Sequence, residues 1–401
     1  MKGKRYMKTI TDVLQSALFE KKNKLKIKSI DIPRYYNIND LFNALKEIGE
    51  KGGVNEPEKI TFISTSRNGY HCSILNGFHT IYLYDILDFT EDHYYVKGTF
   101  TYDNLVVIEN TNLITGELLE NIYETIPSTA ILINIYDSHI PSRYFNRKDT
   151  FTLLNESRHY INKINTDKKY LSLNLKNFLN KMRTKNIKIQ NILQDGYVNN
   201  GVVIEKIDKI KVSDIIEGAD VPIVTPHVNL IKTLNNRIRD YLGITNKEEE
   251  WLPKIGEPMI THGPAECCDY KNSKMYCLPF GYRFKVKRYN IINNDVCQVF
   301  FDYNRCDGQV LECTINIAIP YLEYLVKGDF NNIHPEGSFK AFYGYVIPSF
   351  LSSDLEFDRT IIIYDYTVSS VKEDLYNAIL PARKEVKIYY SLEDTIINKI
   401  I

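Results

Sequence analysis

The chain carries no net charge: among its 401 residues, Lys plus Arg and Asp plus Glu number 50 each. That balance excludes long-range attraction to a polyanion as the basis of function, so any nucleic-acid surface has to be local. No apolar run approaches the length that spans a bilayer, and the opening MKGKRYMKTITDVL lacks the apolar centre of a secretory signal. Neither membrane insertion nor export is expected. Cysteine is sparse, seven in all and scattered except for Cys267-Cys268. An odd, unpatterned set speaks against a disulfide framework and for reduced thiols in an intracellular compartment. Cys267, Cys268, Cys277 and Cys297 lack paired CxxC spacing and a matching His pair, so no metal is expected.

What is present describes a globular protein with 44% hydrophobic and 25% charged residues, long enough for two domains with full cores. Tyrosine is abundant at 30, and Ile, Asn and Lys are plentiful, a bias that fits an AT-rich genome such as that of a virus or phage. Buried strands alternate with amphipathic helices across short turns, which predicts parallel α/β layers. Residues 7–22 read as an amphipathic helix. A strand at Leu25–Ile30 leads through a turn to a helix at Asn39–Ile48. Further strands fall at 59–66, 104–108 and 130–136, with a helix at 171–184. The segment 220–243 reads as strand, turn and helix, with Leu230, Leu234, Ile238 and Leu242 on one face and Gly243 at its end. Residues 265–335 alternate strands with many tyrosines.

The last regular segment, VKEDLYNAILPARKEVKIYY at 371–390, resembles the closing motif of superfamily 1 nucleic-acid helicases of the Dda/RecD type. Leu375, Tyr376, Ala378, Ala382 and Arg383 stand in register, while Leu380-Pro381 replaces a Thr-Arg pair whose arginine acts on the γ-phosphate. The resemblance runs through residues 7–390 in family order. It implies two RecA-like parallel-sheet domains with a small SH3-like β-barrel inserted in the second. The corresponding boundaries are 1–150 for the first domain, 151–264 with 336–401 for the second, and 265–335 for the insertion.

The positions that handle ATP in that family are changed. A phosphate-binding turn needs glycines, a lysine and a magnesium-binding hydroxyl. Here Asp31, Pro33, Arg34 and Tyr35 stand in the turn. The magnesium/base pair has become Glu109-Asn110. Asp137 persists in the segment that couples ATP to DNA, but Tyr136 and Ile140 replace its glycine and glutamine. No cofactor is therefore expected; ATP with magnesium enters only if the chain is a divergent working motor using Arg34, Glu109 and Arg158.

The resemblance also marks candidates for nucleic-acid contact: Ser64, Thr65, Ser66, Arg67, Thr80, Tyr82, Arg158, Thr225, Asn229 and Asn235. Gln15 matches an adenine-reading glutamine or is a surface residue. Arg283, Lys285 and Lys287 alternate with aromatics, which serves either a single-strand grip or an ordinary solvated strand face. Three readings follow: an ATPase-dead helicase-like protein holding single-stranded DNA or replication and recombination proteins, a working helicase, or a purely structural protein-binding subunit.

Overall fold

A computed structural model describes residues 27–34, 36, 38–51, 57–90, 93–98, 100–139, 158–160, 171–184, 187–199, 201–217, 221–244, 251–327, 337–352, 355–365 and 372–391. The expected helix at 7–22, with Gln15, and the candidate Tyr35 lie outside the described residues, as do the side chains of Arg158 and Asn229. The chain divides into two compact units, Met1–Asp88 with Tyr94–Leu171, and Phe89–His93 with Ser172–Ile401.

The first unit is built on β1 (Ile27–Asp31), β2 (Ile60–Ser64), β3 (His79–Tyr82), β6 (Leu105–Ile108), β7 (Ile131–Tyr136) and β8 (Arg158–Tyr160); between β3 and β6 in the chain, β4 (Leu87–Thr90) and β5 (His93–Val96) pair with each other as a separate two-stranded sheet. The sheet order is β3-β2-β6-β7-β1-β8, and every neighbouring pair is parallel. Strands buried on both faces read as continuous apolar runs, and LVVI of β6 is one. Helix α1 (Ile38–Lys51) buries Leu41, Phe42 and Leu45, and Phe42 meets Phe62 of β2 edge-on with ring centres 5.1 Å apart. Helix α2 (Arg67–Leu75) follows β2. Helix α3 (Gly116–Thr125) starts at Thr115, whose hydroxyl accepts the Leu118 N–H at 3.0 Å, and it buries Leu118, Leu119 and Ile122.

The second unit carries its own six-stranded sheet. Its strands are β9 (Tyr197–Asn199), β10 (Val202–Lys206), β11 (Ile223–Thr225), β20 (Val346–Pro348), β21 (Phe357–Asp365) and β22 (Ala382–Ser391), in the order β20-β11-β21-β22-β10-β9. All pairs are parallel except β9, an antiparallel edge. Helices α4 (Leu173–Arg183), α5 (Val212–Glu217), α6 (Val228–Tyr241), α7 (Ile319–Lys327) and α8 (Lys372–Ile379) complete it. Gly243 ends α6 with φ +70°, a conformation that glycine adopts without a Cβ penalty.

Where the sequence suggested a small barrel, the described strands form two antiparallel sheets. One is five-stranded, from β13 (Ala265–Asp269), β14 (Met275–Leu278), β16 (Arg288–Ile291), β17 (Val296–Asn304) and β18 (Val310–Ala318), ordered β14-β13-β18-β17-β16. The other pairs β12 (Pro258–Thr261) with β15 (Arg283–Lys285) and β19 (Ala341–Tyr343). A single apolar core runs from Leu230, Leu234 and Ile238 of α6 through Met259 to Phe301 and Ile317, so the insertion shares the core of the parallel sheet. The α/β expectation of two parallel-sheet units thus describes the chain.

Candidate functional site

Because the first sheet is parallel, the ends of β1, β2, β6 and β7 bring Asp31, Ser64, Glu109 and Asp137 to one edge. In open α/β sheets this carboxyl edge is where ligands bind. Here the polar groups at that edge are bonded to one another. The Arg34 N–H, in the turn after β1, donates to Asp137 Oδ2 at 2.8 Å. Asp137 Oδ1 takes the His139 N–H at 2.9 Å, and Asp31 Oδ1 takes the Ser138 N–H at 3.0 Å. The ends of β1 and β7 are thereby laced together through two carboxylates that are almost wholly buried.

Glu109 is held in a second knot. Its Oε2 accepts from Ser64 Oγ at 2.7 Å and lies 3.4 Å from Ser66 Oγ, and the residue is 5% exposed. Ser66 caps α2, its hydroxyl accepting the Gly69 N–H at 3.1 Å. Asn110 takes the left-handed conformation, φ 52°, which Asn tolerates better than most residues, and its amide donates to Thr65 Oγ1 at 3.2 Å. The Tyr36 ring is buried nearby; burial first, then the Glu109 charge, pushes its phenol well above the usual range. Burial and Glu109 also push the Cys72 thiol up.

The remaining candidates of this unit lie at β3. Thr80 shares a 2.8 Å hydrogen bond with Ser73 of α2 and donates to Phe78 O. Tyr82 is buried edge-on to Tyr70 at 5.8 Å. Arg67 is half-buried in the first turn of α2, and Arg158 lies on β8.

In the second unit, Thr225 ends β11 fully buried, its hydroxyl donating to Ile363 O at 2.8 Å and accepting the His227 N–H at 3.2 Å. Asn235 of α6 accepts the Val346 N–H at 3.1 Å and donates to Val346 O at 3.3 Å, so its amide completes the edge of β20 as a neighbouring strand would. Arg283 Nε donates to Gly344 O at 3.1 Å, and its guanidinium lies over the Phe357 ring. Lys287 pairs with Asp302 at 2.9 Å and Glu312 at 3.6 Å, whereas Lys285 is exposed. Pro381 is buried between α8 and β22, its carbonyl accepting the Phe357 N–H at 2.8 Å.

No sequence motif marks His227. Its Nε2 accepts the Asp365 N–H at 2.7 Å, so a neutral ring carries its proton on Nδ1. Burial lowers its pKa against the opposing pull of Asp365 and Asp374. Its place directly after a strand end, in TPH, was the available signal. Among the described residues, no group of three or more His, Cys, Asp or Glu side chains is arranged to hold a metal, and no helix is long and apolar enough to cross a membrane.

No protein-family model matches the chain, and no curated protein matches it. Similar solved structures are Pif1 helicases. Pif1 from Candida albicans is 11% identical over 90% of each chain, with a TM-score of 0.38. Pif1 from Bacteroides in complex with ADP-AlF3 and single-stranded DNA is 13% identical over 99% of this chain and 97% of that one, with a TM-score of 0.43. Bacteroides Pif1 bound to single-stranded DNA is 12% identical over 99% and 96%, with a TM-score of 0.42.

Proposed function

We propose that the chain is a helicase-like protein that has lost ATP hydrolysis and serves as a nucleic-acid-binding or scaffold component of a viral, phage or plasmid DNA replication or recombination assembly. The observation that carries this reading is the 2.8 Å hydrogen bond from the Arg34 N–H to Asp137. Backbone N–H groups after the first strand are what a phosphate needs, and here one of them already holds an anion of the protein itself. A triphosphate entering this turn meets the Asp31 and Asp137 carboxylates, with no glycine to bring further N–H groups round. The residues present do not fit ATP and magnesium. Glu109 does not fit the work of a general base either, since a base has to reach its water and this carboxylate is buried against Ser64.

The partner in this reading is single-stranded DNA or a protein of the same assembly. Arg67 at the start of α2 and Lys285 on β15 are cationic candidates that keep solvent access. The purely structural reading has its own support. Thr225, Asn235 and Thr80 spend their polar atoms inside the protein, and Lys287 is paired with acids.

The test is fluorescence anisotropy with single-stranded and duplex DNA across a salt series, with and without ATP and magnesium. Salt-sensitive single-strand binding indifferent to ATP is the expected result. Affinity that moves with ATP overturns the loss of nucleotide function. Absence of binding at every salt concentration transfers the assignment to a protein-only scaffold.

A further inference from the structure

At the opposite, amino edge of the first sheet lies a polar group that the helicase resemblance does not involve. His79, the first residue of β3, places Nδ1 2.8 Å from Asp103 Oδ2. Asp103 precedes β6 and is fixed from behind: Thr61 of β2 donates its hydroxyl to the same Oδ2 at 2.8 Å and accepts the Asp103 N–H at 2.9 Å. An ionised carboxylate only accepts hydrogen bonds, so the proton of a neutral ring sits on Nδ1 and the lone pair on Nε2. His79 is 40% and Asp103 27% exposed at the side chain, so this oriented imidazole stands at the surface.

An imidazole oriented by a carboxylate is an activated nucleophile. We infer that His79 Nε2 is a covalent acceptor site for a phosphoryl group delivered by a high-energy N–P or acyl-phosphate donor. With phosphoramidate as donor, in its N-protonated form, the Nε2 lone pair forms the new N–P bond as the donor's own N–P bond breaks, and the ammonio nitrogen leaves as ammonia with that electron pair. The ring then carries Nδ1–H against Asp103, whose charge offsets the positive charge developing on the imidazole. Asp103 is a positioning residue, and Thr61 holds it in place.

The site is tested with the full chain and potassium phosphoramidate, following phosphohistidine by ³¹P NMR and mapping it by peptide mass spectrometry. Phosphorylation of His79 ahead of the exposed His71 is expected, as is a fall of roughly tenfold or more at His79 in Asp103→Asn, the kind of loss seen when an orienting carboxylate is removed. Circular dichroism checks that the variant is folded. Equal labelling of His79 and His71 in the unaltered protein overturns the assignment without recourse to any variant, and so does an unchanged rate in folded Asp103→Asn.

Discussion

Arg239 and Glu257 form an ion pair with no solvent exposure at either side chain, Nε lying 2.7 Å from Oε1. The rest of both groups is nearly satisfied. Arg239 Nη2 donates to Leu252 O at 3.0 Å, its guanidinium stacks 3.9 Å above the Tyr343 ring, and Glu257 Oε2 takes the Lys254 N–H at 2.8 Å. The pair joins α6 to the turn that enters β12, and so ties the helix of the parallel sheet to the three-stranded sheet of β12, β15 and β19.

Removing one member leaves a charge buried without its counter-charge, which costs about 3–5 kcal/mol. Arg239→Met and Glu257→Gln should each lower the urea midpoint of the full chain, Arg239→Met by the larger amount. The double variant Arg239→Met/Glu257→Leu should recover most of that loss, because two apolar side chains replace a desolvated pair. A double variant no more stable than Arg239→Met would show that the pair's hydrogen bonds, not its charges, hold the turn.

The same pair shows what a sequence can disclose. Arg239 falls in the helical pattern of 220–243 and Glu257 in PKIGE at 253–257, yet nothing in their spacing says that the two meet. The elements themselves were legible, because burial follows the period of each: Leu41, Phe42 and Leu45 line the inner side of α1, and Leu375, Tyr376, Ala378 and Ile379 are buried in α8. Strand partnership in the insertion was not, since β15 pairs with β12 before the insertion and shares its sheet with β19 beyond it. Polar residues are ambiguous for a related reason: Asn235 on a helix looks the same whether its amide meets a phosphate or the edge of β20.

That ambiguity makes Asn235 informative. Asn235→Leu deprives Val346 of both hydrogen bonds inside the core, and each buried group left unpaired costs about 1–3 kcal/mol. The variant should melt at a lower temperature while any DNA affinity of the folded protein, and its salt slope, stays unchanged. A change in salt slope without loss of stability would assign Asn235 to the nucleic-acid surface instead.

Asp214 of α5 gives a pH prediction. Burial works to raise its carboxyl, but the Lys211 N–H and the Lys387 ammonium outweigh burial and hold it below the usual carboxylate range. Lys387 Nζ stands 3.0 Å from Oδ1, across from α5 on β22. A depressed folded value means that the stabilisation is fully present above the unfolded pKa of about 3.9, and is lost as pH falls through the lower folded value. Asp214→Asn should therefore reduce stability at neutral pH by about 1 kcal/mol. Thermal melts of the two proteins should converge as the pH is taken below about 4. A gap that stays constant down to the most acid pH would mean that α5 is held by packing alone.

Gly69 tests the closed state of the candidate site directly. A Cβ on this residue of α2 would lie inside the van der Waals envelope of both Glu109 Oε2 and Ser64 Oγ, so the backbone there has room only for glycine while Glu109 stays in its knot. In an exposed helix, Gly→Ala would stabilise by about 0.5–1 kcal/mol. Here Gly69→Ala should instead destabilise, by about 1–3 kcal/mol, because an added methyl in a filled site forces its neighbours to move. The cost should shrink when Glu109→Ser is introduced alongside, since the shorter side chain removes the nearer of the two obstructions and leaves only the Ser64 hydroxyl to rotate aside. A double-mutant cycle measures this coupling, and residues in contact typically give 0.5–3 kcal/mol, so about that range is expected. Additive effects would place Glu109 away from Gly69 in solution and reopen the case for a carboxylate able to reach water. Strong coupling would keep the Glu109 carboxylate packed against Gly69 and Ser64, as the proposed loss of ATP hydrolysis requires.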